Sequence, residues 1–367
     1  MTAKHPVFLI KPPLRHAGFA ACILTVLNYA RYCEREGLSP VVHIDGSCET
    51  RFLDPEYGDN VWEQYFEPIG EYSSATMTKW LQESGGDRPE VRLTDSTIPP
   101  LIKASDDSIF TWTFGRWREN PPDDISAWFA EQRRKGRETV RRYVRVKSSI
   151  VEKVEDFRRE FLEGKAVLGV HMRGTDLAYA PPVSPAEYFP EIETWLASNS
   201  EGHVFLATDQ LQYLELMKDR YGPSLVFYDC LRSDNSVAPF NAKTGSPYRK
   251  GEDVLIDILL LSQCDYLIRG ASNIPEMALF FNDELESTDL SLNKRFAFGQ
   301  DYLSRWSSLA TRPAWDLIQK TDLEQVSATA SSQNGIQRFV YELRRVCASI
   351  TQRRRMLRRR IKAFLSD

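Results

Sequence analysis

The sequence lacks several patterns that would fix its class at once. It has six cysteines, Cys22, Cys33, Cys48, Cys230, Cys264 and Cys347, yet no Cys-x-x-Cys pair and none at metal-ligand spacing from a histidine. That excludes a zinc ribbon and a small disulfide scaffold. Cysteines scattered through apolar runs behave as small hydrophobes and point to a reducing compartment, so the chain is expected to be cytoplasmic. No run approaches the roughly 18–20 uninterrupted apolar residues of a membrane-spanning helix. The first apolar run, 7–10, is stopped by Pro12 and Pro13, and Arg15 and His16 follow; no secretory signal is read there. An excess of one sign of charge is also lacking, with 47 Lys and Arg against 51 Asp and Glu. A formal net charge of -4 over 367 residues gives no basis for a nucleic-acid partner.

What is present is ordinary globular composition, 42% hydrophobic and 27% charged. The length allows two or three domains at roughly 100–200 residues each. The run 7–10 reads as a buried strand, 14–19 as a loop containing Gly18, and 20–36 as a helix with Ile23, Leu27, Ala30 and Tyr32 on its apolar surface and Gly37 as its stop. A second strand, 40–44, ends at Asp45-Gly46. Between 70 and 124 the pattern weakens and Gly85-Gly86, Pro99-Pro100 and Pro121-Pro122 punctuate it, which reads as loop-rich. A long helical pattern over 127–164 follows. The second half alternates cleanly: strands at 166–170, 204–208, 225–228 and 266–269, helices at 185–197, 211–221, 253–262 and 274–281. This alternation is the mark of an α/β chain with parallel sheet. The expected organisation is an N-terminal α/β domain over 1–150, a Rossmann-type domain over 151–325, and a tail over 335–367. In that tail the arginines from Arg338 to Arg360 interleave with apolar residues as in a basic amphipathic helix.

Four pieces of the second half carry polar residues where ligand chemistry is expected. The strand 167–170 runs out into His171-Met172-Arg173-Gly174-Thr175-Asp176. In open α/β sheets the ligand crevice lies outside the C-terminal strand ends. An arginine there offers a planar fork for phosphate oxygens, and a histidine can donate or accept. A strand-end arginine paired to Asp176 is the plainer alternative. The next piece, Ala207-Thr208-Asp209, also ends a strand; helix capping is its plainer role. Asp257 sits in an apolar helix, where a carboxylate needs a partner; the N–H edge of a guanine would serve, and a solvent-facing position is the alternative. Finally, Gly270-Ala271-Ser272-Asn273 leads into a helix, a place that either binds phosphate or simply caps.

In order and spacing these pieces resemble the fucosyltransferase superfamily with the His-x-Arg motif, which includes α1,6-fucosyltransferases of the nodulation and N-glycan-core types and is related to protein O-fucosyltransferases. The likeness is best over 169–282 and fainter over 8–69, where Gly18-Phe19 is similar to the N-terminal glycine loop. The resemblance implies a GT-B-like fold of two Rossmann-type domains facing a cleft. It also implies a metal-independent, inverting transfer of fucose from GDP-fucose to a glycan or lipid-linked oligosaccharide. On this chain Arg173 would hold the diphosphate, with Asp176 beside it as a second catalytic residue. His171 and Asp257 would recognise guanine, Thr208 and Asp209 would form part of the donor site, Ser272 or Asn273 would contact phosphate, and Gly18 and Phe19 would face the donor. After Asp176 the chain reads Leu177-Ala178-Tyr179-Ala180-Pro181-Pro182, where core-type members carry a basic residue and a glutamate that acts as base. The proton acceptor then falls among Asp176, Glu187 and Asp45, with Arg15 and His16 on the acceptor side. Two other readings stay open: a transferase using another GDP-hexose, and a nucleotide-sugar- or glycan-binding protein without turnover. The basic tail reads as a contact with an anionic inner-membrane surface, or as a helix packed on the body.

Overall fold

The computed structural model describes residues 6–15, 17–82, 89–111, 124–175, 183–235 and 237–291. Val7–Ile10 forms β1, every residue of it buried. Gly18 then supplies an extended backbone at the N-terminus of α1 (Phe19–Arg35). Gly37, in the left-handed region at φ +66°, turns the chain out of this helix. It leads into β2 (Ser39–Val42), which pairs parallel with β1.

The weak stretch that follows is more ordered than its composition suggests. It holds α2 (Val61–Tyr65), α3 (Ser74–Gln82), β3 (Val91–Leu93) and α4 (Ile98–Ala104). β3 has one half-buried and two exposed residues, so it lacks the apolar signature of an inner strand; parallel pairing with β1 makes it a strand. The long helical pattern is in fact α5 (Ile125–Tyr143) and α6 (Ser148–Phe157), the latter running into one π turn. Tertiary pairing breaks it. The N–H of Glu67 donates to the Arg145 carbonyl at 2.8 Å, and the N–H of Lys147 donates to the Tyr65 carbonyl at 2.9 Å. Backbone groups satisfied across the fold need no intrahelical partners.

The second half follows its expected alternation: β4 (Val167–Met172), α7 (Pro185–Ser198), β5 (His203–Thr208), α8 (Leu211–Tyr221), β6 (Leu225–Val226), α9 (Pro247–Leu261), β7 (Tyr266–Arg269), α10 (Asn273–Phe281) and β8 (Ser287–Asp289). α9 starts six residues earlier than expected. Ser246 caps it by accepting from the Arg249 N–H at 3.2 Å, and Pro247 occupies its first turn.

The chain divides into two compact units whose boundaries differ from the expected cut at 150. The first takes its described residues from 1–163, 243–263 and 273–285; the second takes them from 164–242, 264–272 and 286 onward. α9 and α10 therefore leave the strands that flank them and pack with α1, α5 and α6. The first unit carries a parallel sheet of order β2-β1-β3, with Val7, Leu9, Val41 and Met77 clustered on it. The second carries a five-stranded parallel sheet of order β6-β5-β4-β7-β8. Leu168, Val170 and Met172 of β4 point to the face covered by Tyr188 and Ile192 of α7 and Leu214 and Met217 of α8. Both sheets make this an α/β protein, as expected. The tail over 335–367 lies outside the described residues. Among the described residues no helix is long and apolar enough to cross a membrane.

Gly251 of α9 tests this packing. A Cβ there would lie 2.5 Å from the Tyr65 hydroxyl oxygen and 3.0 Å from the Phe19 ring. Alanine is the better helix former by about 1 kcal/mol, but overpacking costs about 1–3 kcal/mol. Gly251→Ala is therefore expected to lower the unfolding free energy measured in urea. A gain would mean the Tyr65 ring is free to swing away.

Candidate functional site

β4 is followed in the chain by β5 and β6 on one side, whereas β7 and β8 lie on its other side. The order reverses between β4 and β7, and a crevice for ligands opens outside the C-terminal strand ends at such a switch point. His171 sits there, opposite Arg269 of β7 in the parallel register and opposite Ala207 of β5. The His171 side chain alternates away from the α7–α8 face. It is 4% exposed, and its Nδ1 has no hydrogen-bond partner among the described residues. Burial, and after it the charges of Arg173 and Arg269, push the imidazole down to about 3. His171 is thus a neutral ring with one polar atom unused. A buried polar atom left unpaired costs about 1–3 kcal/mol, so it calls for a ligand or a water.

The loop after β4 is held by its neighbour strand. Asp209, just past β5, accepts from the Gly174 N–H at 2.7 Å, from the Thr175 N–H at 3.3 Å and from the Thr175 hydroxyl. Capping, the plainer role expected for Asp209, belongs to neither it nor Thr208: α8 has Gln210 at its N-cap position, without a side-chain cap. Burial raises the Asp209 carboxyl, while the Thr175 and Gly174 bonds and the Arg173 charge pull it back in part. Thr208 is buried, and its hydroxyl accepts from the Gln210 N–H at 3.3 Å. Gly174 has no alternative residue: a Cβ would stand 2.4 Å from the Gln210 Cβ. Arg173 donates from Nε to the Thr175 carbonyl at 3.2 Å, which sets the root of its guanidinium. Arg269, 1% exposed, is paired with Asp289 at 3.3 Å. Ser272, buried, follows β7 in the same unit.

The second unit thus brings together His171, Arg173, Thr208, Asp209 and Ser272. The remaining expected residues belong elsewhere. Asp257 lies buried on α9, and Asn273 opens α10, both in the first unit. The Asn273 side-chain oxygen accepts from the Thr111 hydroxyl at 2.6 Å. Phe19, expected to face a ligand, is 3% exposed and packs edge-on against Phe52 and Tyr65; its ring anchors α1 in the core. Glu187, a candidate proton acceptor, completes a capping box by accepting from the Ser184 N–H at 2.8 Å. Arg15 is an exposed residue paired with Glu49 at 3.1 Å. His16 and Asp176 lie outside the described residues.

Asp45 does stand at a strand-end cluster. It follows β2, accepts from Lys11 Nζ at 2.7 Å, and lies 3.4 Å from His43 Nε2. Burial alone would raise its carboxyl, but the Lys11 and Ser47 hydrogen bonds outweigh this and hold it at about 2. The sequence reading missed Gly174, Thr175 and His43. Gly174 and Thr175 were visible inside the motif; nothing in the sequence ties them to Asp209. Among the described residues no group of three or more His, Cys, Asp or Glu could hold a metal ion.

The fold and site define a parallel-sheet α/β unit with a polar, arginine-bearing switch point. No protein-family model matches the chain, and no curated protein sequence matches it. Solved structures that it resembles include the fucosyltransferase NodZ from Bradyrhizobium, at 18% identity and a TM-score of 0.45 over 75% of this chain and 92% of that one. POFUT1 in complex with GDP matches at 12% identity and 0.42, over 79% and 100% of the two chains. FUT1 from Arabidopsis thaliana in complex with GDP matches at 11% and 0.40, over 78% and 70%. Identities and scores at this level transfer no activity.

Burial of His171 has a pH signature. The imidazole stays neutral in the folded chain but takes up a proton near its ordinary value of 6.5 when unfolded. Stability is therefore lost as the pH falls from 6.5 towards 3, at up to about 1.4 kcal/mol per pH unit. In urea unfolding at pH 7.5, 6 and 5, the stability of the wild type relative to His171→Gln is expected to fall step by step. A constant difference would show that His171 is reached by solvent.

Proposed function

We propose that the chain is an inverting, metal-independent glycosyltransferase that moves fucose from GDP-fucose to a hydroxyl of a glycan or lipid-linked oligosaccharide. The observation that carries this reading is the switch-point pair of the second unit. A buried neutral His171 with an unused Nδ1 stands two residues from Arg173, whose loop is fixed by Asp209. The residue pattern His171-Met172-Arg173 is the one whose resemblance points to a GDP-sugar.

The chemistry follows from charge. Transfer breaks the bond between the sugar C1 and the diphosphate oxygen, and negative charge develops on the departing GDP. A guanidinium held in place before reaction stabilises that charge without reorganising. In this reading Arg173 grips the diphosphate, and Ser272 adds a hydroxyl from the β7 end. His171 donates or accepts towards the nucleotide from its free nitrogen. Thr208 and Asp209 act on the donor indirectly, through the shape of the 173–175 loop.

Attack at C1 requires that the acceptor hydroxyl lose its proton. Glu187 is engaged in capping, and Asp45, held at about 2 by Lys11, is a weak proton acceptor. We assign the role to Asp176. The missing glutamate after Asp176 favours one second reading, a nucleotide-sugar-binding protein without turnover. The site does not select among GDP-hexoses, so another sugar on GDP fits it equally. In location the chain is proposed to be cytoplasmic and peripheral at an anionic membrane face through residues 335–367.

Calorimetric titration with GDP-fucose, GDP-mannose, GDP and UDP, with and without EDTA, tests the donor reading. A lost charge-assisted contact of about 1.5–3 kcal/mol predicts that Arg173→Ala weakens GDP binding by roughly 10–100-fold. The metal chelator is expected to change nothing. Equal binding of UDP and GDP, or no binding by the wild type, would overturn the assignment, and product formation with any acceptor would remove the non-catalytic reading. Deleting 352–367 is expected to abolish binding to phosphatidylserine vesicles; unchanged binding would refute the membrane contact.

A further inference from the structure

We infer that Tyr57 is a stacking platform for a pyranose ring of a neutral oligosaccharide, the outer member of a three-tyrosine stack in the first unit. Identifying that oligosaccharide with the acceptor rests on the transferase reading above; the binding itself does not.

The stack is built from the core outward. Tyr65 of α2 is fully buried, and its hydroxyl donates to the Tyr248 carbonyl at 2.9 Å. The glycine at 251 leaves room for that hydroxyl against α9. The Tyr248 ring lies parallel to Tyr65, 5.0 Å away and tilted by 4°. The Tyr57 ring lies on Tyr248 at 3.7 Å and 2°. This is nearly face to face, whereas free rings prefer offset or edge-on arrangements. Ring–ring attraction alone would not choose it, so the backbone must hold Tyr57 there.

The loop 54–58 does so. Buried Gln64 donates to the carbonyls of Asp54 at 2.8 Å and Gly58 at 2.9 Å. Asp54, also buried, accepts from the Glu56 N–H at 3.3 Å and from the Tyr248 N–H at 3.4 Å, tying loop to helix. Gly58 closes the turn at φ +110°, a conformation open only to glycine. All this ordering presents a ring that remains 52% exposed. A residue serving only to cover Tyr248 would be buried by its loop; this one keeps a flat face towards solvent.

The surroundings select the occupant. Arg51, Glu56, Asp59 and Arg249 are exposed around the loop and the start of α9. Charged residues of both signs thus stand close in the chain to Tyr57 and Tyr248, in the loop and at the start of α9. A single-stranded nucleic acid tracks a groove of positive charge. A stable protein partner covers about 800 Å² on each side with an apolar centre. A pyranose matches what is here: one apolar C–H face to lie on the ring, and hydroxyls at its rim to meet carboxylates and guanidinium groups. A rigid tyrosine offers that contact at little entropic cost.

Saturation-transfer NMR on the full chain, with neutral tetrasaccharides of glucose, mannose and galactose as probes, tests this. Saturation is expected at the pyranose C–H protons of at least one probe. Tyr57→Ala is expected to weaken its binding by about five- to tenfold, as loss of one stacked ring implies, while Tyr57→Trp retains it. GDP binding should be unchanged in both variants, which also shows that they fold. No saturation of any probe, or undiminished saturation in Tyr57→Ala, would overturn the inference. So would Tyr57-dependent saturation confined to the guanine protons of added GDP. Oligosaccharide binding in a chain that binds no GDP-sugar would sink the donor reading and leave this one standing.

Discussion

The carboxylate of Asp209 reaches sideways from the end of β5 to the loop of β4, and the geometry of the switch point depends on that reach. A loop leaving a parallel strand has backbone N–H groups with no ladder partner. Here two of them, on Gly174 and Thr175, converge on one charge. The arrangement requires a glycine at 174, since Gln210 fills the space a side chain would need. It also returns the Thr175 carbonyl to the Arg173 Nε. One acid thus sets the direction in which an arginine leaves the sheet. The burial that raises the Asp209 carboxyl is offset by bonds that only the folded loop supplies.

The same crowding explains His171. Burial, and after it the charges of two arginines, keeps the imidazole neutral near pH 7, so the ring is a polar, uncharged group beside a cation. His171 offers directional hydrogen bonding that does not titrate near neutrality. The backbone carbonyl of His171 is itself held by the Tyr188 hydroxyl at 3.0 Å, so the strand end is braced from the opposite face by α7.

Much of this was legible in the sequence where local signals and tertiary structure agree. The strand ending at His171 and Arg173, the glycine stop after α1, and the alternation of the second half follow from apolar runs and turn residues. What was hidden is what neighbours across the fold decide. β3 is too polar to announce itself and exists because β1 offers it an edge. The 127–164 pattern is helical in composition, yet it breaks where 145–147 pair with 65–67. Phe19, next to a glycine loop, looked available; the aromatic cluster that claims it is formed by residues more than thirty positions away. Glu187 looked like a free acid, although Ser184 three residues before it is the signature of a capping box. The partition of α9 and α10 is invisible locally, because their spacing from β6, β7 and β8 is that of an ordinary βα unit.

The end of the first sheet shows why a strand-end acid is not by itself a base. β1 and β2 deliver Lys11 and His43 to Asp45, while the loop after β4 delivers Gly174 and Thr175, with Arg173 nearby, to Asp209. Asp45 is stabilised as an anion by a full positive charge and by Ser47, and its proton affinity collapses. Asp209 is held mostly by neutral N–H and O–H groups in a buried place, and its affinity rises. Two aspartates in equivalent topological positions are driven in opposite directions by the identity of the donors around them. Asp45 is held as an anion, and the carboxylate of Asp209 is taken up by the two N–H groups and the hydroxyl of the loop it organises.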